Sequence, residues 1–154
     1  MGIKFDISFK MGSVMYKNIL MAIDFSEVTE AVSQKTLLLR EITKADVHLC
    51  YVLGDESVVA PASYFYYQSF DFNENVLDPL KKKFAELAHH LSISEKNTHF
   101  LRGNAKEEIL NLSKKLNIDA IIVGGHDHSR LGMLGSVAAV LSNKADCDVL
   151  IVKK

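Results

Sequence analysis

The chain has 154 residues, 48% of them hydrophobic and 24% charged, with a formal net charge of −1. That length suits one domain around one core, and the balanced charge implies no basic face, so nucleic acid is not an expected partner. No uncharged apolar run approaches the roughly 18 residues that a bilayer span needs, so a membrane is not an expected partner either.

Cys50 and Cys147 each sit inside an apolar run and form no CxxC pair. They read as two buried free thiols, which fits a reducing compartment. The N-terminus has no signal-peptide pattern, and Asp6 stands where a myristoylation signal needs Ser or Thr. The expectation is a cytoplasmic protein.

Residues 1–14 read as an N-terminal extension. Ile3, Phe5, Ile7 and Phe9 alternate with other residues in a strand-like pattern, and Met15 follows. An extra strand, an arm and a segment not made in the cell all stay open. From residue 15 to 154 the pattern is regular. Ile19-Leu20-Met21-Ala22-Ile23 is a continuous apolar run, as expected of a strand buried on both faces. Asp24 ends it, and Ser26 is placed to cap a helix that runs to about Thr43, with Glu27 and Glu30 in its first turn. A second strand is predicted over 47–53.

The stretch 54–75 is irregular and holds Pro61 and an aromatic run, Tyr64, Phe65, Tyr66, Tyr67, Phe70 and Phe72. It suits either a protein-partner surface at Tyr64–Phe72 or a loop whose rings fold onto the sheet edge. Val76, Leu80, Phe84, Leu87 and Leu91 then recur at helical spacing, with Lys81, Lys82 and Lys83 on a solvated face. A short strand over 98–101 follows. Gly103 turns the chain, and Asn104 with Glu107 resembles a capping box before a helix over 105–116. Ala120-Ile121-Ile122-Val123 and Val149-Leu150-Ile151-Val152 are the fourth and fifth strands, with a helix starting near Ser136 between them. Strands joined by helical crossovers are parallel and right-handed. The expected fold is α/β, a doubly wound, five-stranded parallel sheet with helices on both faces. Ligands of such sheets bind beyond the carboxyl ends of the strands at the switch point.

The chemistry concentrates between Val123 and Val137. Gly124, Gly125, Gly132 and Gly135 let backbone amides approach an anion, and the helix beginning at Gly135-Ser136 offers unpaired N–H groups and a partial positive charge. Ser136 can donate its hydroxyl to a phosphate oxygen, and Arg130 can add a charge-assisted contact. Asp24, at the end of the first strand, is placed to meet a base, a ribose or a nucleotide-borne metal. His126 and His128 lack the further ligands of a closed metal site, so no protein metal site is expected. No catalytic set follows from spacing.

Four motifs in order resemble the universal stress protein family: the opening 15–26, the turn GNAKEEI at 103–109, the loop 121–136 and the last strand 147–152. The resemblance spans 15–154. It implies a Rossmann-like fold of the adenine nucleotide alpha hydrolase type and a stress-response module binding AMP or ATP, with or without Mg2+. It places adenine and ribose against Ala22, Ile23, Asp24 and Val52, and the phosphates against Gly124, Gly135, Ser136 and Val137, with Asp127 and Arg130 beside them and Val123 also among the nucleotide-binding residues. It further implies a homodimer through the last strand, Val149 to Val152. The family's nucleotide-binding branch carries Gly, two residues, Gly, nine residues, then Gly-Ser or Gly-Thr. Here Asp127 replaces the second glycine, and seven residues separate it from Gly135. A carboxylate beside a phosphate is unfavourable unless a cation intervenes, and the shorter loop is similar to the branch that is not thought to bind ATP. Two alternatives therefore stand: a nucleotide-free protein-interaction module, and a slow ATPase in which Ser136 and Arg130 act without an evident base.

Overall fold

The computed structural model describes residues 15–54, 74–125 and 135–153. The N-terminal extension, the aromatic run Tyr64–Phe72, and Asp127 and Arg130 lie outside them. Strand β1 (Asn18–Ile23) leads into helix α1 (Thr29–Thr43), β2 (Asp46–Leu53), α2 (Glu74–His90), a 3₁₀ turn (Glu95–Asn97) and β3 (Thr98–Arg102). Then follow α3 (Ala105–Lys115), β4 (Ala120–Gly124), α4 (Ser136–Lys144) and β5 (Asp148–Val152). All neighbouring strands pair in parallel, in the order β3-β2-β1-β4-β5. The chain winds outward from β1 to β3, then crosses back to lay β4 on the other side of β1. The switch point therefore falls between β1 and β4.

The period of two along β1 feeds two cores. Ile19, Met21 and Ile23 pack with Val28 and Val32 of the α1 segment and with Phe84 and Ala88 of α2. Leu20 and Ala22 pack on the opposite face with Ile109 and Leu112 of α3 and with Ala138 and Leu141 of α4. Burial on both faces explains why β1 reads as a continuous apolar run rather than an alternating one.

The N-terminal ends of the strands are tied by polar contacts. The Asp119 carboxylate accepts from the backbone N–H of Lys17 and of Asn18, both at 2.8 Å. The Tyr16 hydroxyl donates to Asp148 at 2.9 Å. These bonds clamp β1 to the β4 and β5 side at the end of the sheet opposite the switch point.

Three local expectations need correction. Helix α1 begins at Thr29 with Val28 at its N-cap, and Ser26 lies in the turn before it. The Ser26 carbonyl accepts from Thr29 N–H at 3.0 Å and its hydroxyl from Val28 N–H at 3.4 Å, so Ser26 caps the turn that precedes the helix and not the helix itself. Asn104 does cap α3, but its side chain accepts from the N–H of Lys106 and not from that of Glu107. Cys50 is buried, whereas Cys147, just before the edge strand β5, is only half-buried; both are free. Helix α2 also accommodates Pro79.

On the α3 side of the sheet, His48 of β2 and His99 of β3 stack with their rings 5.5 Å apart. His48 Nδ1 and His99 Nε2 are 3.2 Å apart, so one ring donates to the other. Both titrate below the ordinary histidine range. Burial is the main cause for each; Asp46 opposes it and Lys96 adds to it at His48, whereas His48 and Lys115 add to it at His99. Unfolded histidine protonates near 6.5. As pH falls below that value the unfolded chain takes up protons first, so stability that is complete above about 6.5 is lost progressively below it. Urea unfolding from pH 7.5 to 5 should show this decline, and His99→Gln should flatten it; equal slopes in the two proteins would contradict the assignment.

Candidate functional site

At the carboxyl ends of β1 and β4 the chain leaves in opposite directions, α1 to one face and α4 to the other. A cavity of about 240 Å³ opens between them. Each wall follows from a local feature of the chain.

The β1 end supplies Ala22, Ile23 and Asp24. Asp24 Oδ1 accepts from Ser26 N–H at 3.0 Å, closing an Asx turn that starts the path into α1. Phe25, inside that turn, has φ of +58°. A left-handed phenylalanine costs on the order of 1–2 kcal/mol, and the packing of its ring holds it there. The ring lies 5.2 Å from Tyr51, and the Lys83 ammonium sits 4.6 Å from its centroid. Phe84 and Phe100 extend the aromatic cluster around Tyr51. Burial, with Asp24 second, raises the Tyr51 pKa, so this phenol stays neutral at physiological pH.

The β4 end supplies Val123 and Gly124. A Cβ on Gly124 would meet the Val28 side chain at 3.4 Å, an ordinary contact, so packing alone does not demand glycine there. Gly125 is tighter: a Cβ there would lie 2.7 Å from Ile151 Cγ2, while its N–H donates to the Val152 carbonyl at 2.8 Å. Here glycine serves close packing of β4 on β5.

The far wall is the start of α4. Gly135 is its N-cap, and Gly135, Ser136 and Val137 all line the cavity. The first intrahelical bond runs from Ala139 N–H to the Gly135 carbonyl at 3.0 Å. The amides before it point out of the helix start with a partial positive charge, which suits an anion. Val52 of β2 and Ala105 and Ile109 of α3 form an apolar side wall. Cys50 completes the floor. Burial, helped by Glu108, pushes its thiol up to about 12, so it is a neutral, unreactive surface.

Ala22, Ile23, Asp24, Val52, Val123, Gly124, Gly135, Ser136 and Val137, the expected site residues within the described segments, thus line one cavity. Reasoning from the sequence missed Ser26, Val28, Thr29 and Val32 on the path into α1 and in its first turn, and Cys50, Ala105, Ile109 and Ala138. Cys50 was within reach, since it shares a face with Val52 at the strand period of two. Among the described lining residues Asp24 is the one charged side chain. A magnesium ion arriving with a nucleotide could therefore draw one carboxylate from them. No group of three or more His, Cys, Asp or Glu able to hold a metal occurs among the described residues. No helix there is long and apolar enough to cross a membrane.

Strand order, departure of α1 and α4 to opposite faces, and a crevice with an apolar flank and polar ends together define a doubly wound α/β domain with a cavity at its switch point. The family model for the universal stress protein family matches residues 15–153, and the chain belongs to that family. It is 30% identical to universal stress protein A homolog 1 of Coxiella burnetii over 138 residues, covering 89% of this chain and 96% of that protein. It is 28% identical to universal stress protein MJ0577 of Methanocaldococcus jannaschii, covering 92% of this chain and 98% of that one. The solved structure of MJ0577 superposes with a TM-score of 0.73 over 92% of this chain and 98% of that one. A universal stress protein solved in complex with cAMP superposes with a TM-score of 0.63 at 16% identity, over 90% of this chain and 97% of that one, a likeness of fold.

Proposed function

We propose that this protein is a stress-response module that binds an adenine nucleotide, AMP or ATP, in the switch-point cavity and acts in the cytoplasm as a dimeric sensor or regulator. One observation carries the reading: residues from β1, β2, β4 and the start of α4, far apart in the chain, converge on a single cavity with an apolar flank and a helix N-terminus. The apolar flank of Val52, Ala105 and Ile109 suits a flat base. Asp24 suits a ribose hydroxyl, and the α4 amides with Ser136 suit a phosphate. The cAMP-bound relative supports an adenine nucleotide as the ligand class. For the dimer, support comes from β5, an edge strand with Leu150 41% exposed, which pairing across a two-fold axis would cover.

The test is calorimetric titration of nucleotide-stripped protein with AMP and with ATP, each with and without magnesium, beside Ser136→Ala. Loss of a hydroxyl bond to a charged phosphate should weaken binding about tenfold or more. Saturable binding weakened by the substitution supports the proposal. Absence of binding to all four would overturn it in favour of a nucleotide-free interaction module. Sedimentation as a monomer at micromolar concentration would overturn the dimer.

A further inference from the structure

Helix α1 carries four hydroxyl side chains in its buried or half-buried positions, and three of them are satisfied in the same way. Ser33, Thr36 and Thr43 donate to the carbonyls of Thr29, Val32 and Leu39, four residues back, at 2.7–2.8 Å. Thr29 cannot do this. Its residue four back is Phe25, whose left-handed backbone takes it off the helix. The Thr29 backbone is fully engaged, its N–H with the Ser26 carbonyl and its carbonyl with the Ser33 hydroxyl. Its side-chain Oγ1, by contrast, is shielded from solvent and has no hydrogen-bond partner among the described residues. Thr29 stands in the wall of the cavity.

A shielded hydroxyl without a partner is costly, and valine has nearly the same shape without that cost. We infer that Thr29 is a ligand-contacting residue, its hydroxyl turning about χ1 into the cavity to bond an oxygen of the sugar-phosphate part of the bound nucleotide. This rests on the nucleotide reading above. The sugar-phosphate is favoured over the base because of where Thr29 lies. The apolar flank of Val52, Ala105 and Ile109 belongs to the α3 side of the sheet. Thr29 belongs to α1, beside the polar path of Asp24 and Ser26. A hydroxyl can donate to a phosphate oxygen, or donate to and accept from a ribose hydroxyl.

The test compares wild type, Thr29→Val and Thr29→Ser in titrations with AMP, adenosine and adenine, with the thermal midpoint of each free protein. The expected result has two opposite signs. Thr29→Val binds AMP about fivefold to tenfold more weakly, yet its free form melts at the same temperature or higher, because an unpaired hydroxyl has been removed. Thr29→Ser binds as wild type does. A loss seen with both AMP and adenosine assigns the bond to ribose, and a loss seen with AMP alone assigns it to phosphate; either supports the inference. Unchanged AMP affinity in Thr29→Val overturns it while leaving the nucleotide reading standing. A lower melting point for free Thr29→Val, or a loss of affinity for adenine itself, also overturns it. If wild type binds none of the three, the nucleotide reading fails first, and that outcome is separately visible.

Discussion

Ala105→Trp is expected to abolish nucleotide binding, weakening AMP by at least about a hundredfold, while leaving the fold intact. Ala105 opens α3 and lines the apolar flank of the cavity. The site is only about 240 Å³, below the roughly 300 Å³ at which ligand pockets usually begin. An indole there competes directly for the space assigned to the base, and a hundredfold loss is about 2.7 kcal/mol, easily exceeded by a steric block. The fold should tolerate it. Ala105 is half-buried, its helix start is capped independently by Asn104, and the helix-propensity difference is under about 1 kcal/mol. Titration together with circular-dichroism melting checks both halves. Undiminished AMP binding in a folded variant would place the ligand elsewhere.

Leu20→Ala should cost the most stability, about 3–5 kcal/mol, because Leu20 is fully buried in the central strand. It packs among Ile109, Leu112, Ile121 and Leu141, between the sheet and both α3 and α4. Its removal leaves a hole where β1 supports two helices at once. Since domains of this size hold roughly 5–15 kcal/mol in all, the variant should unfold at a much lower urea concentration. Leu20→Met, which keeps the volume, should cost less than about 1.5 kcal/mol. Equal losses in the two variants would mean that shape, not buried volume, governs this position.

Much of this architecture was legible in the sequence because its signals are local. The apolar runs at 19–23 and 120–123 mark strands buried on both faces. Asp24 and Gly135-Ser136 mark the strand end and the helix start that meet at the switch point. The start of α1 was misread because Ser26 has the right chemistry for a cap, but Phe25 adopts a left-handed backbone that delays the helix to Thr29. Nothing in the residue types signals that. For the same reason the orphan hydroxyl of Thr29 is visible only in three dimensions. The α3 contribution from Ala105 and Ile109 was missed because it depends on how far that helix leans over the sheet. Gly125 looked like a phosphate-loop glycine, whereas its need for no side chain comes from Ile151 on the neighbouring strand.

The central claim is that the switch-point cavity is a nucleotide site. Amide NMR spectra of the 15N-labelled protein, recorded during titration with AMP, test it most directly. The account predicts saturable shifts at Ala22, Asp24, Gly124, Ser136 and Val137, with Lys17, Asn18 and Asp119 at the opposite end of the strands unmoved. Unchanged spectra at millimolar AMP, or shifts confined to residues outside the cavity, would contradict it.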